Sequence, residues 1–446
     1  MVFTSFTFLL FVAPAFAAFW LARNHGKIQN AILIVASSLF YGWWDWRMLA
    51  LLLGNTIWAY GWGAVLSARR NRLLLAVAAA GPLAVLFVFK YFDFFVPCAH
   101  LGLAVPVGLS FYTFMAVGYL ADVWCGRIGR ERDPLAFGAF MMFFPQLAAG
   151  PIGRAGEMLP QYRRPRTFDY PLAVDGCRQF LWGMFKKMFV AAECAVVADR
   201  AFAGYAEATG LALILGAVCY SIQIYADFSG YSDMAIGVGK VFGIRLRRNF
   251  DYPYFACGIG DFWRRWHMSL TSWFKDYVYI PLGGSRCGLL RNLANVWTVF
   301  LLSGLWHGAA WTFVIWGALH AAFLSVQVVF ARKLQLTVPS PVGWLITFVA
   351  VAMAWVFFRA PDFATAIGYF AGMFSNPLLP APSKALSLLP KVAAFMAVEW
   401  IWRKREHPLA ALPNRFRALR WLLYLVIFVT CLSRLEQSGN FIYFEF

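Results

Sequence analysis

"LLSGLWHGAAWTF", residues 301–313, decides what kind of chain this is. Leu301, Leu302, Leu305, Trp306, Ala309, Ala310, Trp311 and Phe313 all suit hydrocarbon, and His307 does not. Burial opposes its charged form, so the imidazole stays neutral near pH 7 and able to accept a proton. Two readings follow: a general base, or a histidine donating one hydrogen bond to a neighbouring helix. A continuous helix over 308–320 would place His320 about 20 Å of rise beyond His307 and over half a turn out of phase. On that geometry His320 reads as structural or as part of a tunnel wall.

Apolar runs like this one recur on both sides. Of the 446 residues, 61% are hydrophobic and 13% charged, where a soluble chain carries about a quarter charged; mean hydropathy is +0.63. A crossing helix needs roughly 20 apolar residues. Candidate runs cover 2–22, 30–45, 48–66, 73–96, 107–124, 134–151, 179–199, 209–228, 289–306, 308–330, 342–358, 387–402 and 420–434. The fold expected is all-α: a polytopic membrane protein with about eleven transmembrane helices, plus re-entrant and short amphipathic helices around a central tunnel. It is read as a single membrane domain over 1–446. The first run holds "APAFAAF", similar to a cleavage site, yet no Lys or Arg precedes Arg23. A secretory signal needs a positive leading region, so this run reads as a retained transmembrane helix.

The net charge is +18, from 39 basic and 21 acidic residues. In a soluble chain that balance points to nucleic acid. Here the basic residues sit in short loops, the pattern of cytoplasmic loops, so membrane lipid and not nucleic acid is the expected surrounding. Arg23 and Lys27 follow the first run, Arg69, Arg70 and Arg72 the third, and the mixed "WWDWR" at 43–47 lies between them. That order puts the N-terminus outside, 23–29 inside, 43–47 outside and 67–72 inside. Eight scattered cysteines form no C-x-x-C pair, and six histidines show no metal-ligand spacing. No metal site and no disulfide framework is expected.

From Tyr220 to Arg291 the pattern breaks. Gln223, Asp227, Ser229, Asp233, Asn249, Asp251, Asp261, Arg264, Arg265, His267, Lys275 and Asp276 are too polar for a lipid-facing stretch. Ionisable groups at membrane depth face the protein interior or a water-filled cavity. Pro253, Pro281 and the Gly283-Gly284 pair also interrupt helices, and irregular backbone at that depth needs protein or a cavity around it. The stretch reads as short amphipathic helices and re-entrant turns lining a chamber. Within "DFWRRWH", 261–267, the arginines fit either an interfacial belt with snorkelling side chains or a ligand contact, as does Lys275. His267 fits either a satisfied core histidine or a site residue. The terminal "FIYFEF", 441–446, sets Tyr443 between Phe441 and Phe446. By residue type it reads as an aromatic belt at the membrane interface.

Several motifs carry a resemblance: "VFTSFTFLLF" at 2–11, "VPVGLSFYTF" at 105–114, "FFPQLAAGPIGRAGEMLPQ" at 143–161 and "YSIQIYADFSGYSDMAIG" at 220–237. "NFDYPYF" at 249–255, "DFWRRWHMSLTSWFKDYVYIPLGG" at 261–284 and "LSGLWHGAAWTFVIWG" at 302–317 continue it. The chain resembles the membrane-bound O-acyltransferase (MBOAT) family, in its bacterial branch of alginate-type O-acetyltransferases and teichoic acid D-alanyl transferases. The resemblance implies a catalytic core over 220–320, with the family's invariant histidine at His307 and its second polar position at His267. It implies an acyl relay at Tyr443 in the pattern F-x-Y-x-x-F. Acetyl-CoA is the implied donor substrate, with no bound cofactor. Its phosphates are expected near Lys275, Arg286 and Arg291 around "PLGGSR", with Trp306, Arg264 and Arg265 completing the substrate-binding set. The implied activity moves an acetyl group across the bacterial inner (cytoplasmic) membrane for O-acetylation of an exported polysaccharide, alginate or a similar polymer. A periplasmic acetyltransferase of the SGNH type, or a polysaccharide secretion complex, is the implied partner. Acylation of peptidoglycan or teichoic acid is the alternative within the family. Outside it, a polysaccharide or acyl transporter also explains polar groups inside a helical bundle.

Overall fold

Hydrocarbon offers backbone groups no hydrogen-bond partner, so a spanning segment must satisfy them internally. The chain meets that demand with helices. The computed structural model describes residues 1–43, 45–331, 339–380, 382–411 and 416–435, and no strand occurs among them. The 441–446 motif with Tyr443 lies outside the described residues.

Among the described residues, six helices are long and apolar enough to cross a membrane: Trp46–Ala68, Arg72–Phe95, Gly210–Val241, Trp311–Val329, Ser340–Arg359 and Ser383–Trp402. Phe6–Leu21, Leu109–Cys125 and Phe363–Ser375 are shorter apolar helices. Ile57, Trp311, Ile346 and Ile401 stand exposed on these elements, an apolar surface that lipid covers and water would not tolerate. Several helix starts are written in the sequence as acceptor side chains. Asn71 accepts from Leu73 N–H at 2.7 Å and Asp362 from Thr365 N–H at 2.7 Å, each satisfying an orphan donor of the first turn.

The structure corrects three details of the expected helix map. The run 134–151 is not one helix: Pro134–Met142 ends at Phe143 and a short Phe144–Leu147 turn follows. Pro145 has no N–H to bond the carbonyl four residues back and its ring would clash with that carbonyl, so the first helix cannot continue through it. The run 209–228 also extends further than expected, into the stretch read as short helices and turns, because Gly210–Val241 runs unbroken for 32 residues. Its polar groups are matched by side chains instead of breaking the helix: Asp227 pairs with Lys187, and Ser229 accepts from Lys186 at 2.9 Å. Asp233 accepts from Gln179 at 2.8 Å. The irregular region begins only after Val241, and beyond it Ile259–Arg265 and Met268–Phe274 are seven-residue helices. Finally, the helix Phe363–Ser375 is absent from the hydropathy runs because it is too short for them.

The chain divides into two compact units. The first comprises residues 1–183 and 231–248. It is built on packed aromatic rings, with Phe3 stacked on Tyr231 at 4.9 Å and edge-on to Phe8 at 4.9 Å. Its buried Arg166 is fully engaged: it donates to Asn30 Oδ1 at 2.7 Å and Gln29 Oε1 at 3.2 Å, with the Phe19 ring 5.4 Å away. A cation is tolerated inside when so many groups receive it.

The second unit comprises residues 184–230 and 249–434. Leu289–His307 and Trp311–Val329 form a helical hairpin, joined by the turn Gly308–Ala310. They pack closely because Gly304 and Gly317 carry no Cβ; one added to either would meet the backbone carbonyl of Phe313 or Phe300. Gly317→Ala on an exposed helix would stabilise by about 1 kcal/mol. Here it is expected to lower the melting temperature in detergent, at the about 1–3 kcal/mol scale of overpacking. An unchanged or raised melting temperature would contradict this close approach.

Candidate active site

His267, His307 and the side chains around them belong to the second unit. The backbone after the Gly210–Val241 helix folds back on itself, with Asp251 N–H donating to the Arg265 carbonyl at 2.9 Å and Met268 N–H to the Asn249 carbonyl at 2.8 Å. Between these links His267 adopts φ +42° and ψ 53° at the start of Met268–Phe274. A side chain in this left-handed region costs about 1–3 kcal/mol and such outliers cluster at functional sites. His267 is fully buried. Its Nδ1 lies 3.1 Å from Asn249 Oδ1, and its ring sits edge-on to Phe228 at 4.7 Å.

His307 is the last residue of Leu289–His307, followed by the turn at Gly308. It is 4% exposed, and its ring is enclosed by Trp306 at 4.9 Å, Trp316 at 5.0 Å and Phe358 at 5.2 Å. Trp306 also stands 6.0 Å from His267. One indole therefore contacts both imidazoles, although forty residues separate the two in sequence. A buried, aromatic-walled pair of proton-accepting groups is suited to general base chemistry on a hydroxyl.

His320 is nearer than a continuous 308–320 helix would place it. The helix starts only at Trp311, and the hairpin returns the chain so that Trp316 lies 5.0 Å from His307 and 4.9 Å from His320. His320 Nδ1 accepts from Trp263 Nε1–H at 3.3 Å, a structural engagement.

The basic residues fall elsewhere. Arg264 is mostly exposed and lies 3.5 Å from Asp261, while Arg265 meets the same carboxylate at 3.1 Å and the Asp251 carbonyl at 3.4 Å. Lys275, Arg286 and Arg291 are exposed. The loop bearing Arg286 is tied to the start of Leu289–His307, with Tyr279 donating to Asn292 Oδ1 at 2.6 Å and Asn295 to the Gly284 carbonyl at 3.2 Å. Gly283 and Gly284 turn there with φ of +110° and +58°. Arg291 and His307 are thus near opposite ends of one helix, about 24 Å apart along its axis. The structure brings His267, Trp306 and His307 together and holds the cluster of Arg286 and Arg291 away from them.

Sequence reasoning missed Asn249, Trp316 and Phe358 as the neighbours of the two histidines. Only Asn249 left a signal, a polar side chain beside the aromatic residues of "NFDYPYF". The buried pairs Lys187–Asp227 and Tyr225–Glu399 were missed as pairs. Among the described residues, no group of three His, Cys, Asp or Glu could hold a metal ion.

The family model of MBOAT, the membrane-bound O-acyltransferase family, matches residues 128–366, a span that holds His267, Trp306 and His307. The chain is 36% identical to the probable alginate O-acetylase AlgI of Pseudomonas putida, over 100% of both chains. It is 38% identical to the probable alginate O-acetylase AlgI of Pseudomonas aeruginosa, over 84% of this chain and 75% of that one. With the peptidoglycan O-acetyltransferase of Helicobacter pylori it shares 36% identity over 81% of this chain and 77% of that one. The membrane-type helices, the paired imidazoles and these matches together show that the chain belongs to the membrane-bound O-acyltransferase family and is a membrane-embedded O-acyltransferase.

Proposed function

We propose that the protein moves an acetyl group from cytosolic acetyl-CoA, across a bacterial inner membrane, to a hydroxyl of an exported polysaccharide of the alginate kind. The observation that carries this reading is the pair of buried imidazoles, His267 and His307, both in contact with Trp306 in the family-matched region. His307 takes the phenol proton of Tyr443 as that oxygen attacks the thioester carbonyl. The C–S bond breaks, and the proton passes from His307 to the departing thiolate. The acetyl ester on Tyr443 is then attacked by a polysaccharide hydroxyl, whose proton restores the phenol. Thioester and alcohol become thiol and ester. His267 orients the base or stabilises the oxyanion, and Trp306, Arg264 and Arg265 contact substrate. A periplasmic transferase or the polymer's secretion complex receives the group.

Deleting the gene is expected to strip O-acetyl groups from the exported polymer. The peptidoglycan O-acetyltransferase among the relatives supports a second acceptor. Unchanged polymer with acetate lost from peptidoglycan would favour that one.

Lys275, Arg286 and Arg291 suit the phosphates of the donor, far from the reacting carbon. Arg286→Glu with Arg291→Glu is therefore expected to raise the KM for acetyl-CoA about tenfold and change kcat less than about twofold, the mark of lost uniform binding. An unchanged KM with a lower kcat would overturn the phosphate site.

A further inference from the structure

The side-chain oxygen of Asn249 serves several groups at once. Ser269 N–H donates to it at 3.2 Å and Ser269 Oγ–H at 2.9 Å, while His267 Nδ1 faces it at 3.1 Å. A backbone N–H can only donate, so the atom facing Ser269 must be the amide oxygen and not its nitrogen. An oxygen without a proton accepts, so His267 Nδ1 must carry the hydrogen. In the neutral imidazole that leaves the lone pair on Nε2. Asn249 and Ser269 are themselves buried, and the Met268 N–H to Asn249 carbonyl bond fixes the two segments in register. The left-handed backbone at His267 is part of this clasp.

We propose that Asn249 is a positioning residue that holds His267 as the Nδ1–H tautomer, so that this imidazole serves the site at Nε2 as a hydrogen-bond and proton acceptor and not as an oxyanion donor. The inference rests on the acyltransferase reading above and chooses between the two roles left open there for His267. The ring's surroundings sharpen it. Phe228, Phe250 and Trp306 pack on His267. The titratable and charged groups on the elements packed against it include His307, which also contacts Trp306, Asp227, ion-paired to Lys187, and Tyr225, hydrogen-bonded to Glu399. Further along the same helices Asp233 accepts from Gln179, Lys240 pairs with Asp175, and Arg291 lies at the far end of Leu289–His307. Asp251 and Arg265 flank the paired backbone segments, Arg265 also meeting Asp261. In these surroundings the Asn249 amide is what selects the tautomer.

Two measurements test this on the full-length protein in detergent or nanodiscs. The first needs no activity: nitrogen-15 spectra of histidine-labelled protein, with His267→Gln identifying the resonances among six histidines. Wild type is expected to show a protonated Nδ1 and an unprotonated Nε2 at His267, and Asn249→Leu a mixture of tautomers. A protonated Nε2 with a bare Nδ1 in wild type overturns the proposal. The second is the pH dependence of acetyl transfer in Asn249→Asp, which keeps every acceptor contact and puts a carboxylate against Nδ1–H. A neighbouring carboxylate favours the imidazolium, so the acidic limb of the profile is expected to move up by about one pH unit while the plateau stays within about threefold. A merely structural role for Asn249 leaves the limb in place, and a limb superimposable on wild type contradicts the proposal. If Asn249→Leu does not fold, the wild-type spectrum and the aspartate profile still decide. Failure of the functional reading looks different: transfer in wild type that survives His307→Ala, whatever the tautomer of His267.

Discussion

Replacing His307 with alanine is expected to reduce acetyl transfer to background, a loss on the order of 10² to 10⁴ in rate from the general base alone. The ring packs against Trp306, Trp316 and Phe358, so truncation also leaves a cavity and removes some stability. His307→Gln separates the two effects, because it fills much of the same space and cannot take the proton. Both variants are expected in the membrane fraction at near wild-type abundance, and both without ester-linked acetate on the host polymer. Normal acetylation by either removes the central residue from the mechanism.

Tyr443→Phe is expected to be nearly as damaging for a different reason. The substitution keeps the ring of "FIYFEF" and deletes one hydroxyl, so any role that needs only the aromatic ring survives it. If the phenol carries the acetyl group, transfer falls to background while acetyl-CoA still binds. Labelled acetyl-CoA without acceptor should mark the C-terminal peptide of wild type, and neither Tyr443→Phe nor His307→Ala should retain that mark. The dependence on His307 follows from acidity: with a pKa near 10, only about one phenol in a thousand is ionised at pH 7. Near-normal transfer by Tyr443→Phe would leave direct attack by the acceptor hydroxyl on acetyl-CoA.

The membrane class was legible because hydrocarbon imposes a long apolar run on each spanning helix, and runs such as 48–66 and 342–358 matched helices Trp46–Ala68 and Ser340–Arg359. Reading the chain from Tyr220 onward as short helices and turns failed as far as Val241, where one long helix continues and its polarity is satisfied by tertiary partners such as Lys187 and Gln179. Those partners lie 40 and 54 residues away, beyond the reach of local pattern. The histidines at 267 and 307 were identifiable as residues out of place, and the family's motifs as a pair. Their common neighbour Trp306 was in the quoted motif, but its contact with both depends on how the 249–268 segment folds back. Asn249 needed the backbone clasp to be seen as a partner of His267. The basic loop shows the opposite limit: "PLGGSR" signals an exposed turn from composition alone, yet its distance from His307 emerges only once both are placed at the ends of Leu289–His307.

The most direct test joins donor, base and product in one assay. Purified protein is reconstituted into vesicles with labelled acetyl-CoA and an alginate-type acceptor, and released CoA thiol is counted against newly formed acetyl ester. Thiol and ester are expected to appear one for one with wild type, and neither above background with His307→Ala. Acceptor movement across the vesicle without thiol release, or equal thiol and ester from His307→Ala, would contradict acyl transfer by this imidazole.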